Sequence, residues 1–153
     1  MKFYPNHKLD KRQQKALEIC EHILNSFEFE AWFISKRFAD MKNPPSLLNV
    51  EVVAQMFNRQ QYRFSWDLDK RPFMKRVFDK HTRGFRLENR IITYRDTYDN
   101  ASLAELCRIL SRQLMHLVGF DERDETVEPN KSVPFMVGEY VYASACRLTR
   151  MDE

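Results

Sequence analysis

Apolar residues return at three- and four-residue steps through the stretch Ala101 to Glu122, ASLAELCRILSRQLMHLVGFDE. Leu103, Leu106, Cys107, Leu110, Leu114, Leu117 and Val118 share one face of a helix over roughly four turns. Ser102 and, three residues on, Glu105 form a capping box that satisfies two orphan backbone N–H groups at the start. Gly119 supplies the left-handed residue that ends it.

The same period recurs on both sides. A first helix is predicted from Lys11 to Asn25, capped by Asp10 with Gln13 in the reciprocal box position, its inward stripe being Ala16, Cys20, Ile23, Leu24 and Phe27. A second runs from Phe27 along Ala31, Ile34, Phe38 and Met41 until Asn43-Pro44-Pro45 stops it. Asn49 caps a short third helix through Phe57, and a last helix spans Phe135 to Arg150 with Val137, Val141, Ala145, Cys146 and Leu148 turned inward.

Between these the period changes to two. Tyr62, Phe64 and Trp66 alternate with Arg63 and Ser65, a half-buried strand, and Asp67 to Pro72 reads as a polar turn. Phe85–Leu87 and Arg90–Arg95 straddle Glu88-Asn89, the spacing of a two-residue hairpin.

Composition narrows this to one domain, residues 1–153, with a core that needs no staples: 43% of residues are hydrophobic and 12 are Phe, while three glycines are too few for a turn-dense all-β fold. The net charge of +3 demands neither a membrane nor a nucleic-acid partner. Cys20, Cys107 and Cys146 are odd in number and lie on apolar stripes, as buried reduced thiols do. With no signal-like or membrane-length apolar run, the expectation is a soluble, cytoplasmic protein.

Read from Arg112, the central helix continues R-Q-L-M-H-L-V-G-F-D-E, which resembles the zincin metallopeptidase signature H-E-x-x-H-x-x-G-x-x-H in register but not in ligands. His116 and Gly119 stand in place, Arg112 occupies the first histidine position, Gln113 the general base and Glu122 the third ligand. The stretches Ile23–Phe29 and Ser132–Gly138 are similar to the flanks of small single-domain bacterial metallopeptidases, in which tyrosine often stands where this chain has Phe135. The resemblance implies an α+β, zincin-like domain: N-terminal helices, a small antiparallel or mixed sheet over the signature helix, and a C-terminal helix. It further implies that Arg90 to Arg95 is the edge strand to which an extended peptide would pair.

The substitutions decide what the resemblance is worth chemically. A guanidinium has no lone pair and repels a dication, Gln113 cannot take a proton from bound water, and His116 with Glu122 falls short of three ligands. No cofactor or metal is therefore expected. Arg112, Gln113, His116 and Glu122 form a vestigial site, in which Arg112 is expected to pair with Glu122 in the metal's stead. The face carrying Arg112 and His116 is an ordinary solvated face by helix pattern, and a cleft lining by resemblance.

The resulting expectation is a catalytically inactive domain that binds a protein or peptide partner. Two alternatives stand beside it. Arg112 and His116 could hold and protonate an anionic substrate. Alternatively Lys70, Arg71, Lys75, Arg76, Lys80, Arg83, Arg86 and Arg90, interleaved with Phe73, Phe78 and Phe85, could grip single-stranded nucleic acid, although a solvated hairpin with inward phenylalanines explains that run as well. No phosphate loop or nucleophile elbow competes, and His7, His22 and His81 read as surface or satisfied side chains. The acidic run Asp121 to Glu125 reads as a solvated turn.

Overall fold

The computed structural model describes residues 1–36, 61–72, 84–87, 89–120 and 132–151. Within them the order is β1 (Phe3–Pro5), α1 (Lys11–Leu24), α2 (Phe27–Ser35), β2 (Tyr62–Asp69), β3 (Gly84–Leu87), β4 (Arg90–Tyr94), α3 (Arg95–Asn100), α4 (Leu103–Val118) and α5 (Val133–Met151). The fold is a mixed α/β arrangement. The predicted helix from Asn49 to Phe57 and the continuation of α2 through Phe38 and Met41 lie outside the described residues.

The helix boundaries follow from their caps. Asp10 accepts from the N–H groups of Arg12 and Gln13, and Gln13 returns the contact to the Asp10 N–H, so α1 starts where the capping box places it. Ser26 caps α2 by accepting from Phe29 N. Its inward face, however, is Phe29 and Phe33, both fully buried, not the predicted line through Phe27, Ala31 and Ile34. Phe29 and Trp32 pack on Tyr140 of α5 with ring centroids 5.6 and 4.4 Å away, and Phe33 reaches Phe120 at 6.4 Å. The aromatic partners, not the apolar count, choose the face.

The sheet has the order β1-β2-β4-β3. β1 pairs with β2 and β2 with β4, both parallel; β3 alone runs antiparallel, joined to β4 by the predicted two-residue hairpin with Leu87 opposite Arg90. Antiparallel pairing is thus confined to one ladder. β2 extends through Asp69, past the expected turn at Asp67, because the ladder from Ser65↔Arg90 to Asp69↔Tyr94 holds it and Asp67 pairs with the Arg90 guanidinium at 2.5 Å. β4 is an interior strand. Its main chain is bonded on both sides and Ile91 to Tyr94 are all buried, so the segment expected to offer a free edge has none to offer; among the described residues the rim is β3. Arg95, expected in the strand, opens α3, which the sequence pattern did not indicate.

The inner face of the sheet, with Phe64, Trp66 and Ile91, joins the helical core. Where β1 stops at Pro5, the next acceptor along β2, the Trp66 carbonyl, takes hydrogen bonds from His7 Nε2 (3.2 Å) and Gln13 Nε2 (3.1 Å). His7 is therefore a satisfied side chain, as the sequence suggested. On the other face the buried Arg71 guanidinium bonds Asp96 and Thr97, each at 3.0 Å, and lies 4.7 Å from the Tyr94 ring centroid, clamping the β4–α3 junction.

A second clamp ties α1 to the segment before α4. The Tyr98 hydroxyl donates to the Asp10 carboxylate at 2.7 Å, while Arg12 stacks on the Tyr98 ring and donates to the Tyr98 and Ala101 carbonyls. Burial alone would raise the pKa of Asp10. Hydrogen bonds from Gln13 N, Tyr98 and Arg12 N outweigh it and hold the carboxyl below its ordinary value of 3.8. Burial, and next the bond to Asp10, push Tyr98 up to about 12.

The two shifts act at opposite ends of the pH scale. The Asp10 contribution is present above the ordinary carboxylate value and is lost as pH falls through the depressed one; the Tyr98 contribution is present below pH 10 and is lost as pH rises to about 12. Tyr98→Phe should reduce the alkaline loss and cost about 1.5–3 kcal/mol at neutral pH, the range for a hydrogen bond to a charged group. Urea unfolding of both proteins at neutral pH and across the alkaline range checks this; an alkaline loss as large in the variant as in the wild type refutes it.

Candidate functional site

The capping box expected of the central helix is present: Ser102 Oγ accepts from Glu105 N at 3.2 Å and Glu105 Oε2 accepts from Ser102 N at 2.7 Å. Gly119, at φ 124°, ends the helix in a conformation that favours glycine, and Phe120 N donates back to the Met115 carbonyl at 3.1 Å. The register of Arg112, Gln113, His116 and Gly119 on this helix is therefore the expected one.

Their surroundings are not. No residue from Leu103 to Val118 is exposed; each is buried or half-buried. The face read as solvated, or as the lining of a cleft, is covered by α5. Gly138 makes this possible, since a Cβ there would come within 3.3 Å of the Arg108 carbonyl oxygen and 3.6 Å of Arg112 Cβ. Arg108 spans the seam to Glu139 at 3.4 Å and lies 4.9 Å from the Tyr142 ring centroid. The Arg112 guanidinium sits over the ring of Phe135, 5.4 Å from its centroid. Charge suggested water, but the long stems and flat guanidinium groups belong to a helix–helix interface.

His116 is half-buried, and its Nδ1 lies 2.8 Å from the Phe120 carbonyl oxygen. A carbonyl only accepts, so Nδ1 carries the proton and the neutral ring has its lone pair on Nε2. This is how a metal-ligating imidazole is commonly held. Its company is the difficulty: no three His, Cys, Asp or Glu side chains group to hold a metal among the described residues. Glu122, and with it the expected pairing to Arg112, lies outside those residues. Gln113 is half-buried on the same helix.

The basic run is partly accounted for. Arg71 is committed to its clamp and Arg90 to Asp67, so neither is an idle cation waiting for phosphate. Lys75, Arg76, Lys80 and Arg83, with Phe73, Phe78 and His81, lie outside the described residues. A concave feature of about 590 Å³ opens elsewhere, between α1, the start of α4 and the end of α5, lined by Lys15, Glu18, Ile19, His22, Leu103, Leu148 and Thr149. It lies at the opposite end of α4 from His116.

Two features escaped the sequence reading. The clamps by Arg12 and Arg71 join residues far apart in the chain and carry no local signature. Gly138 did carry one: it is one of three glycines in the chain and falls inside a helical pattern, where glycine is costly unless a close neighbour requires it.

Gly138→Leu should destabilise the protein by about 1–3 kcal/mol, as overpacking does, by prising α5 from Arg108 and Arg112. Gly138→Ala should be close to neutral, since the better helix propensity of alanine, about 1 kcal/mol, offsets the 3.3 Å contact. Denaturant unfolding of both variants measures the difference; equal stability of the two would show that the seam is loose.

Compared with protein-family models, with curated proteins and with solved structures, the chain matches none.

Proposed function

We propose that this chain is a zincin-like domain that has lost its metal and its peptidase chemistry and works as a binding module for a protein or peptide partner inside the cell. The observation that carries the reading is the state of Arg112. At the position of the first ligand stands a permanent cation, lodged over Phe135 in the α4–α5 seam, where an open metal site would need a lone pair and an approach for water. The retained His116 with its Nδ1 held by Phe120, the glycine turn after it and a small sheet preceding the helix in the chain support descent from such a site. A rim strand remains at β3, which takes the place proposed from sequence for Arg90 to Arg95.

The test is elemental and enzymatic. Purified protein should carry no stoichiometric zinc and cleave neither casein nor peptides; one tightly bound zinc per chain with chelator-sensitive cleavage would overturn the proposal. Arg112→His with Gln113→Glu is the minimum change from which metal binding could return, and Glu122 in place of a third imidazole weakens even that. Partner capture by affinity enrichment should be indifferent to EDTA. A gel shift with single-stranded nucleic acid that weakens steeply with salt would favour the basic segment instead.

A further inference from the structure

The concave feature of about 590 Å³ between α1, the start of α4 and the end of α5 plays no part in the proposed function. Its volume lies within the roughly 300–1,000 Å³ of pockets that take small organic ligands. The floor is aliphatic and comes from three helices: Ile19 of α1, Leu103, the first residue of α4, and Leu148 of α5. Thr149 adds no free donor, because its hydroxyl donates to the Ala145 carbonyl of its own helix at 3.0 Å.

The charged groups stand on one side only. Lys15, Glu18 and His22 all belong to α1 and are exposed. Lys15 lies four residues before Ile19 and His22 three after it, the steps that set side chains beside one another on a helix. Glu18 is the sequence neighbour of Ile19 and so faces another way, and Gln14 Nε2, one turn back, donates to its carboxylate at 3.1 Å. Among the described residues neither Lys15 nor His22 is in an ion pair with a carboxylate.

We propose that this pocket binds a small amphiphilic carboxylate, a medium-length aliphatic body with one anionic head. The body lies on Ile19, Leu103 and Leu148, where an apolar group leaves water without stranding a polar partner. The head stays at the α1 rim. Seven residues of helix separate Lys15 from His22 by about 10 Å, a distance the long lysine stem shortens to meet a head group beside the imidazole. A cationic head is repelled by Lys15, and a doubly charged one is disfavoured by Glu18 nearby, so a single carboxylate suits the rim best. The site uses neither Arg112 nor His116, and the proposal stands or falls apart from the lost metal.

Calorimetric titration of the full chain with decanoate, below its micellar range, tests it. One decanoate should bind per chain in a saturable manner, while decanol and decyltrimethylammonium, with the same body and a neutral or cationic head, bind far more weakly. Lys15→Glu should weaken decanoate by about tenfold or more, the scale of losing and reversing a close charge. Leu103→Glu, which puts a carboxylate on the floor, should abolish binding; an acidic residue suits the first turn of a helix, so its thermal melt should stay near that of the wild type. Should that variant fail to fold, the exposed Lys15→Glu decides. Absence of saturable decanoate binding overturns the proposal, as does equal binding of all three amphiphiles or a Lys15→Glu variant that binds like the wild type. Self-association that Leu103→Glu abolishes, in a protein that ignores decanoate, also overturns it and assigns the pocket to a second copy of the chain.

Discussion

The arrangement depends on one constraint: no residue of α4 is fully exposed, so its neighbours must approach it closely. Small side chains make that possible. On the α1 side, Cys20 Sγ donates to the Cys107 carbonyl at 3.4 Å and Cys107 Sγ to the Ala16 carbonyl at 3.7 Å, a reciprocal pair of contacts available only between closely packed helices. On the α5 side Gly138 does the same, with the fully buried Ala145 further along the seam. Burial, and then the neighbouring Cys107, push the Cys20 thiol well above its ordinary value, so that sulfur behaves as a packing group and not as a nucleophile.

That constraint also sets the surroundings of Arg112 and His116. An open metal site needs a helix face that admits metal, water and substrate. Here the same face carries Arg108 and Arg112, whose guanidinium groups lie over Tyr142 and Phe135 of α5. The Arg112 cation thus has a packing role, and the aromatic ring of Phe135 serves as its platform.

What could be read from the sequence was what is enforced locally. The starts of α1 and α4 and the turn at Gly119 follow from capping chemistry within a few residues, and the β3–β4 hairpin from a two-residue spacing. Facing and neighbourhood were not legible, because they depend on what packs alongside. The apolar line Phe27–Ala31–Ile34 was read inward, but the aromatic rings of α5 select Phe29 and Phe33. The stretch Arg90 to Arg95 carries no sign that it is not an edge, since nothing local says that β2 arrives on one side of β4 and β3 on the other. β1 is three residues long, too short to show any period. The enclosure of the Arg112 face was not legible, since Arg108 and its partner Glu139 are 31 residues apart.

The strand order also carries an entropy gradient. The β3–β4 hairpin closes over two residues, whereas the β2–β4 ladder brings together residues such as Trp66 and Thr93, 27 apart, and the β1–β2 edge joins residues such as Asn6 and Ser65, 59 apart. The chain freedom surrendered on closing each ladder rises in that order, and at β1 only three residues of strand offset it. The far edge of the sheet is therefore the last to be worth forming and the first to open. The side-chain donors His7 and Gln13 on the Trp66 carbonyl act as a latch on that edge, extending three residues of ladder with contacts from the chain that follows it.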